Sequence, residues 1–212
     1  DKFINNIYKE DKKLKKKITY YSSIDNGIYD AMNFGLNLAC GKWVIFMNGG
    51  DEFYSSLSVL DFLENNGERE YKIILGSTYI LDNDKKYINK SRSIKECEGI
   101  NGYRMAAMHQ SQIFHKDIYR QIRFRERFKI SGDHAYFWDS VMKIKDKKNI
   151  FLYSNVISNF YNDGVSSNKA IRSLFEVFIS MIRIQKIPYP IAILASLKRL
   201  IAIVYFYLRS RI

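Results

Sequence analysis

Gly41-Lys42-Trp43-Val44-Ile45-Phe46-Met47-Asn48-Gly49-Gly50-Asp51-Glu52 is a glycine-bounded apolar run that ends in a glycine turn and two acids. Five consecutive apolar residues, Trp43 to Met47, have the length of a strand, and an unbroken run predicts one covered on both faces, as in a parallel sheet. Upstream, Ser23-Ile24-Asp25-Asn26-Gly27 is a turn signal. Ile28, Ala31, Met32, Leu36 and Ala39 then recur at helical spacing, predicting a helix over about 28–39 with Gly41 as its left-handed terminator. Downstream the pattern predicts a helix over 56–65, a strand over 73–80, a hairpin turn at Asp82-Asn83-Asp84 and a return strand over 87–91. An irregular stretch, 92–105, leads to a short strand at 109–114 and a helical turn at 116–121. Ser131-Gly132-Asp133 introduces a helix over about 134–143, and a strand over 150–160 closes on Asp163-Gly164-Val165-Ser166. Helices over about 169–185 and 191–208 are separated by Pro188 and Pro190. Ahead of all this, Phe3, Ile4, Ile7 and Tyr8 share one helical face, lysines crowd 12–17, and Ile18-Thr19-Tyr20-Tyr21 reads as a strand. Alternating strands and helices make the chain α/β.

Composition narrows the function classes. At 212 residues, 47% hydrophobic and 26% charged, the chain is long and apolar enough for one folded domain with a small appendage, which excludes disorder. Two cysteines, Cys40 and Cys97, cannot form a disulfide scaffold and suit a reducing cytoplasm. The opening has no apolar signal segment, and Asp1 is not an initiator methionine, so the first residues read as the interior of a longer sequence. The net charge of +12 favours anionic partners, or reflects a lysine-biased background. With no zinc constellation, RNA-recognition aromatic motif or helix-turn-helix pattern, no nucleic-acid partner is expected.

Ligands of open α/β sheets collect beyond the carboxyl ends of the strands, where the 43–47 strand delivers Asn48 and Asp51 on a glycine-softened turn. A carboxylate with an amide oxygen suits a hard cation such as Mg²⁺ or Mn²⁺; equally, Asp51 could cap the helix that starts near Ser55 or Ser56.

The ordered segments Asp25-Asn26-Gly27-Ile28-Tyr29-Asp30-Ala31-Met32-Asn33-Phe34-Gly35 and 41–52 resemble the family 2 glycosyltransferases, most nearly bacterial members of the colanic-acid, capsule and O-antigen type. His109-Gln110, Gly132-Asp133 and the 163–166 turn follow in the family's order, so the resemblance covers roughly residues 15–170. It implies the A-type nucleotide-diphospho-sugar transferase fold, GT-A, with a mixed, mainly parallel central sheet. By the same resemblance Asp51 is the final acid of the metal motif and holds Mg²⁺ or Mn²⁺ on the donor diphosphate, while Asn48 stands where many members carry Asp. Asp25, Gly27, Asn33, Asn48 and Asp51 then belong to the side that binds a nucleotide-diphospho-sugar donor. His109 and Gln110 lie near the acceptor or the diphosphate, and Asp133 is the base of an inverting transfer. As alternatives, Asn33 could pack the helix, His109 could be a core histidine, and Asp133 could be a plain helix cap.

Nothing before Ile18 matches the family's opening strand and base-binding loop, so an N-terminally incomplete domain over 1–170 is expected, and with it weak binding of a UDP-sugar. Residues 171–212 are expected as a helical extension. Its end, 187–212, mixes apolar residues with Lys198, Arg199, Arg209 and Arg211, too interrupted to span a membrane. It fits a helix lying on an anionic membrane, with its basic side chains at lipid phosphates, or one packed on the domain. Together these features imply transfer of a sugar to a lipid-linked or glycan acceptor at the inner face of the cell membrane. The competing reading is a catalytically inactive module that keeps the fold.

Overall fold

The computed structural model describes residues 19–66, 69–82, 85–161 and 170–209. In chain order the elements are α1 (Ile28–Leu38), β1 (Trp43–Ile45), β2 (Glu52–Phe53), α2 (Ser56–Asn65), β3 (Ile73–Asp82), β4 (Lys85–Asn89), β5 (Gln112–His115), α3 (Lys116–Tyr119), α4 (Gly132–Lys143), β6 (Ile150–Tyr161), α5 (Ala170–Arg183) and α6 (Tyr189–Arg209). The strands form one sheet in the order β1-β5-β3-β6-β2, with β4 paired to β3.

Side chains alternate across this sheet and separate two cores. Val44 on β1, Ile73 and Leu75 on β3 and Phe114 on β5 face one way, toward Tyr29 and Leu36 of α1 and Tyr136, Phe137 and Trp138 of α4. Trp43, Ile45, Ile74 and Ile113 face the other way, onto Val59 and Phe62 of α2 and Ile157 of β6. A period of two along each strand places each apolar run between two helical layers.

The sheet is mixed, as expected for this fold class, but the expectation of a mainly parallel one is corrected. Among the described pairings only β3 with β6 is parallel, whereas β1–β5, β5–β3, β3–β4 and β6–β2 are antiparallel. The apolar run of β1 reports coverage on both faces, and a helical layer on each side gives that to an antiparallel pair as well.

Other expectations shift locally. The inward face of α1 is Tyr29, Met32, Asn33 and Leu36, not the face through Ile28 and Ala31, which are exposed. Tyr29 draws the helix round by stacking on Phe124, with ring centroids 5.5 Å apart. Gly41 is not a left-handed terminator, since α1 ends on an extended Ala39 and the positive-φ glycines are Gly27, Gly50 and Gly99. Its carbonyl instead accepts the Tyr119 hydroxyl. The strand expected from His109 begins only at Gln112, after a 3₁₀ turn over His109–Ser111, and residues 19–21 lie outside any strand. Residues 1–18 and the turn at 163–166 fall outside the described residues.

The last two helices pack on the domain. Val177 and Met181 of α5 meet Ala192 and Ala195 of α6 and the ring of Tyr103. Lys198 donates to Asn101 Oδ1, and Arg199 donates to the carbonyl and hydroxyl of Ser173. These two cations therefore reach protein acceptors, where the sequence reading sent them to lipid phosphates. Among the described residues no helix is long and apolar enough to cross a membrane.

Candidate active site

The site grows from the pairing of β1 with β5. Their antiparallel register sets Ile45 opposite Ile113. Continuing it past the end of β1 brings residues 48–51 against the 3₁₀ turn that precedes β5. Gly50, at φ 95°, occupies the left-handed region open to glycine. The turn closes with Asp51 N–H donating to the Asn48 carbonyl at 3.1 Å. Asn48 then contacts His109 at 3.0 Å between Nδ2 and Nε2, and Gln110 Nε2 lies 3.4 Å from Asp51 Oδ2.

Asp133 arrives from the other side of the chain, in the first turn of α4. One of its carboxylate oxygens accepts the His134 N–H at 2.8 Å and faces the Tyr29 hydroxyl at 3.5 Å. The other lies 3.7 Å from His109 Nδ1. The Asn48 amide nitrogen can only donate, so His109 Nε2 accepts and Nδ1 carries the proton that faces Asp133. A polar chain Asn48–His109–Asp133 thus joins the glycine turn to the start of α4. Tyr29 braces it: its hydroxyl donates to the Ile130 carbonyl at 2.8 Å. Burial, reinforced by the Asp133 charge, pushes its pKa far up and keeps it a neutral donor.

These groups open onto a cavity of about 560 Å³. Asn48, Asp51, His109 and Asp133 form its polar wall, Met32, Met105, Met108 and Ile130 its apolar wall, and Phe160 and Tyr161 enter from the end of β6. A volume of this size is that of a small-molecule site, with a few convergent polar groups to set orientation.

Of the residues expected at the site, Asn48, Asp51, His109, Gln110 and Asp133 come together, Gln110 standing buried behind Asp51. Asp25, Gly27 and Asn33 do not line this cavity. Asp25 Oδ1 accepts the Gly27 N–H at 2.9 Å in an exposed turn leading into α1. Asn33 holds the Phe124 backbone from both sides, its Nδ2 donating to the carbonyl at 2.9 Å and its Oδ1 accepting the N–H at 2.8 Å. The sequence reading missed Tyr29, Ile130 and the methionines. The available signal was that Tyr29, Met32 and Asn33, inside the 25–35 motif, share one helical face with Leu36 just beyond it.

No group of three metal-ligating side chains occurs among the described residues. Asp51 presents a carboxylate to the cavity, and the buried Gln110 turns its Nε2 toward that carboxylate at 3.4 Å from behind. A single carboxylate at the cavity wall fits Mg²⁺ or Mn²⁺, which take one or two carboxylates and complete their shell with water and substrate phosphates.

Support for Asp133 comes from its neighbour. His134 is buried, with Nε2 3.0 Å from the Gly102 carbonyl and Nδ1 3.0 Å from Ser180 Oγ. Burial lowers its pKa to about 3, the Arg199 charge adding to the fall against the opposing Gly102 bond.

Comparison with known proteins identifies the relatives of this arrangement. Residues 4–145 match a family model described as "Glycosyl transferase family 2". The PGL/p-HBAD biosynthesis glycosyltransferases of Mycobacterium bovis and Mycobacterium tuberculosis are 33% identical over 57 residues, covering 27% of this chain and 22% of theirs. The matched stretch thus spans about a fifth of those relatives. Crystal structures of Staphylococcus aureus TarS residues 1–349 superpose with a TM-score of 0.57 at 13% identity, covering 91% of this chain and 56% of that one. The form in complex with UDP-GlcNAc gives 0.58 at 12% identity, covering 57% of its chain. At such identity the likeness is one of fold.

Proposed function

Because the chain belongs to glycosyl transferase family 2, we propose that it transfers a sugar from a nucleotide-diphospho-sugar to a hydroxyl of a lipid-linked or glycan acceptor in bacterial surface polysaccharide synthesis, with inversion at the anomeric carbon. The observation that carries this reading is that Asp51 and Asp133, 82 positions apart in sequence, line one cavity and are bridged through Asn48 and His109. A UDP donor is favoured by the TarS complexes with UDP and with UDP-GlcNAc.

In this mechanism the acceptor oxygen attacks the anomeric carbon, the bond from that carbon to the diphosphate breaks, and the electron pair leaves with the nucleotide. Asp133 takes the acceptor proton. The His134 N–H, 2.8 Å from the carboxylate, restrains its orientation, His109 Nδ1 faces it at 3.7 Å, and the apolar wall limits water at the reacting carbon. Asp51, backed by Gln110, would hold Mg²⁺ or Mn²⁺, which supplies charge neutralisation at the leaving diphosphate. Incubation with a panel of UDP-sugars, a polyprenyl-diphosphate-linked sugar as acceptor and Mn²⁺, with proton NMR of the new linkage, tests the proposal. Nucleotide release with an inverted anomeric centre supports it. Retention of configuration, or no release with any donor, contradicts it and favours an inactive binding module.

A peripheral site at the inner membrane face suits a lipid-linked acceptor. It is favoured by the outward side of α6, where Ile193, Leu194, Leu197, Ile201 and Tyr205 are exposed opposite the packed Ala192 and Ala195. Co-sedimentation with phosphatidylglycerol vesicles should fall on introducing Leu197→Glu with Ile201→Glu; unchanged sedimentation opposes membrane contact.

A further inference from the structure

Three consecutive backbone N–H groups just before α4 converge on one buried carboxylate from α5. Glu176 accepts from Lys129 at 2.9 Å, from Ile130 at 2.9 Å and from Ser131 at 2.8 Å. Arg172, one helical turn back, donates Nε to the same carboxylate at 3.0 Å. Successive N–H groups aimed at a point make an anion-binding concavity, and here the anion is built into the chain. Burial alone would raise the Glu176 pKa, but the three N–H groups and Arg172 outweigh it and hold the carboxyl below its ordinary range. The same segment is tied a second time: Ser131 Oγ meets Ser173 Oγ at 2.8 Å, and Arg199 of α6 donates to that hydroxyl at 2.8 Å.

The clamped segment belongs to the cavity. Lys129 and Ile130 line it, the Ile130 carbonyl receives the Tyr29 hydroxyl, and Asp133 follows two residues after Ser131. Whatever fixes 129–131 therefore fixes where the Asp133 carboxylate sits relative to His109 and the acceptor hydroxyl. We propose that Glu176 is a positioning residue for the transfer reaction, acting from α5 through the 129–131 backbone to hold Asp133 in place. This rests on the reading of Asp133 as the base.

Glu176→Gln keeps the side-chain volume but replaces one acceptor oxygen with a donor that faces a backbone N–H. Glu176→Ala removes the anion altogether. Both are compared with wild type and Asp133→Asn, using the UDP-sugar that gives wild type its highest turnover. Turnover is expressed per folded molecule, with the folded fraction taken from near-ultraviolet circular dichroism, so that a purely structural loss does not register. A displacement on the ångström scale costs about 10²-fold in rate. The expected result is a fall of that order for Glu176→Ala and of about tenfold for Glu176→Gln, with the donor KM within about twofold of wild type. If Glu176→Ala does not fold, Glu176→Gln carries the test. Wild-type turnover per folded molecule in the Glu176 variants, with Asp133→Asn inactive, overturns the positioning role alone. Full turnover in Asp133→Asn removes the base assignment and the positioning role with it.

Discussion

Replacing His134 with glutamine should flatten the dependence of stability on pH between about pH 7 and pH 5. The Gly102 carbonyl, 3.0 Å from Nε2, can only accept, so Nε2 carries the single ring proton and Nδ1 accepts from Ser180. Protonating the ring inside the fold would bury a second N–H where a hydroxyl now donates, beside the Arg199 charge. Burial and that charge accordingly hold the folded pKa at about 3, against 6.5 for the free side chain. The direction of the linkage follows. Below pH 6.5 the unfolded chain gains a proton that the folded chain refuses until about pH 3, so the stability is whole above 6.5 and drains away as pH falls toward 3. At pH 5 the loss is roughly 1.5 pH intervals at about 1.36 kcal/mol each, or about 2 kcal/mol. For a chain of this size that is a fall of roughly 4 to 8 °C in Tm. Glutamine can still donate to Gly102 and accept from Ser180, but it does not titrate. Urea melts of both proteins at pH 7, 6 and 5 isolate the imidazole, because carboxylates titrating lower are common to both and cancel in the difference. Parallel curves for wild type and His134→Gln would refute the reasoning.

Three further outcomes follow from the packing. A Cβ at Gly132 would fall 2.6 Å from the Tyr29 ring, which Phe124 and Ile130 hold in place; Gly132→Ala should cost about 1 to 3 kcal/mol in a denaturant melt, and an unchanged midpoint would show that the ring yields. Asn33→Ala should lower stability by about 1 to 2 kcal/mol through loss of its two Phe124 bonds, leaving the donor KM unchanged; a raised KM with normal stability would return Asn33 to the donor site. Ser111 Oγ lies 2.7 Å from Thr78 Oγ1, 2.6 Å from Ser158 Oγ and 2.9 Å from the Ser77 carbonyl in the buried sheet. Ser111→Ala should therefore cost about 1 to 3 kcal/mol, and a neutral result in the same melt would mean that the remaining hydroxyls satisfy one another.

The sequence makes the layered architecture legible because coverage on two faces leaves a local trace. Trp43–Met47 reads as doubly covered, and its two sides do meet two layers, Val44 the α1–α4 core and Ile45 the α2 core, although the strand ends at Ile45 and, at the sheet edge, all five residues are only half-buried. Strand direction leaves no such trace, which is why the antiparallel β1–β5 pair is invisible in either strand alone. The polar residues at element ends, Asn48, Asp51, His109, Gln110 and Asp133, converge because strand ends and a helix start have to meet at one edge of the sheet. Polar residues within α1 carry no comparable cue. Asn33 looks the same in sequence whether it faces a cavity or grips the backbone of Phe124, a partner 91 positions away. Tyr29 is hidden for the opposite reason, since an aromatic at helical spacing reads as core and only the fold brings its hydroxyl to Ile130 and Asp133. Glu176 and Arg199 read as ordinary charges on amphipathic helices, and only their docking turns them inward.

The most direct test separates the two acids in one experiment, by measuring Mn²⁺-dependent UDP binding by calorimetry alongside turnover for Asp51→Ala and Asp133→Asn. Asp51→Ala should lose the Mn²⁺ dependence of binding and turnover together. Asp133→Asn should bind UDP and Mn²⁺ as wild type does while turnover falls by at least about 10²-fold. Wild-type turnover in Asp133→Asn, or unaltered Mn²⁺-dependent binding in Asp51→Ala, would contradict the claim that these two carboxylates share one cavity and divide its chemistry between them.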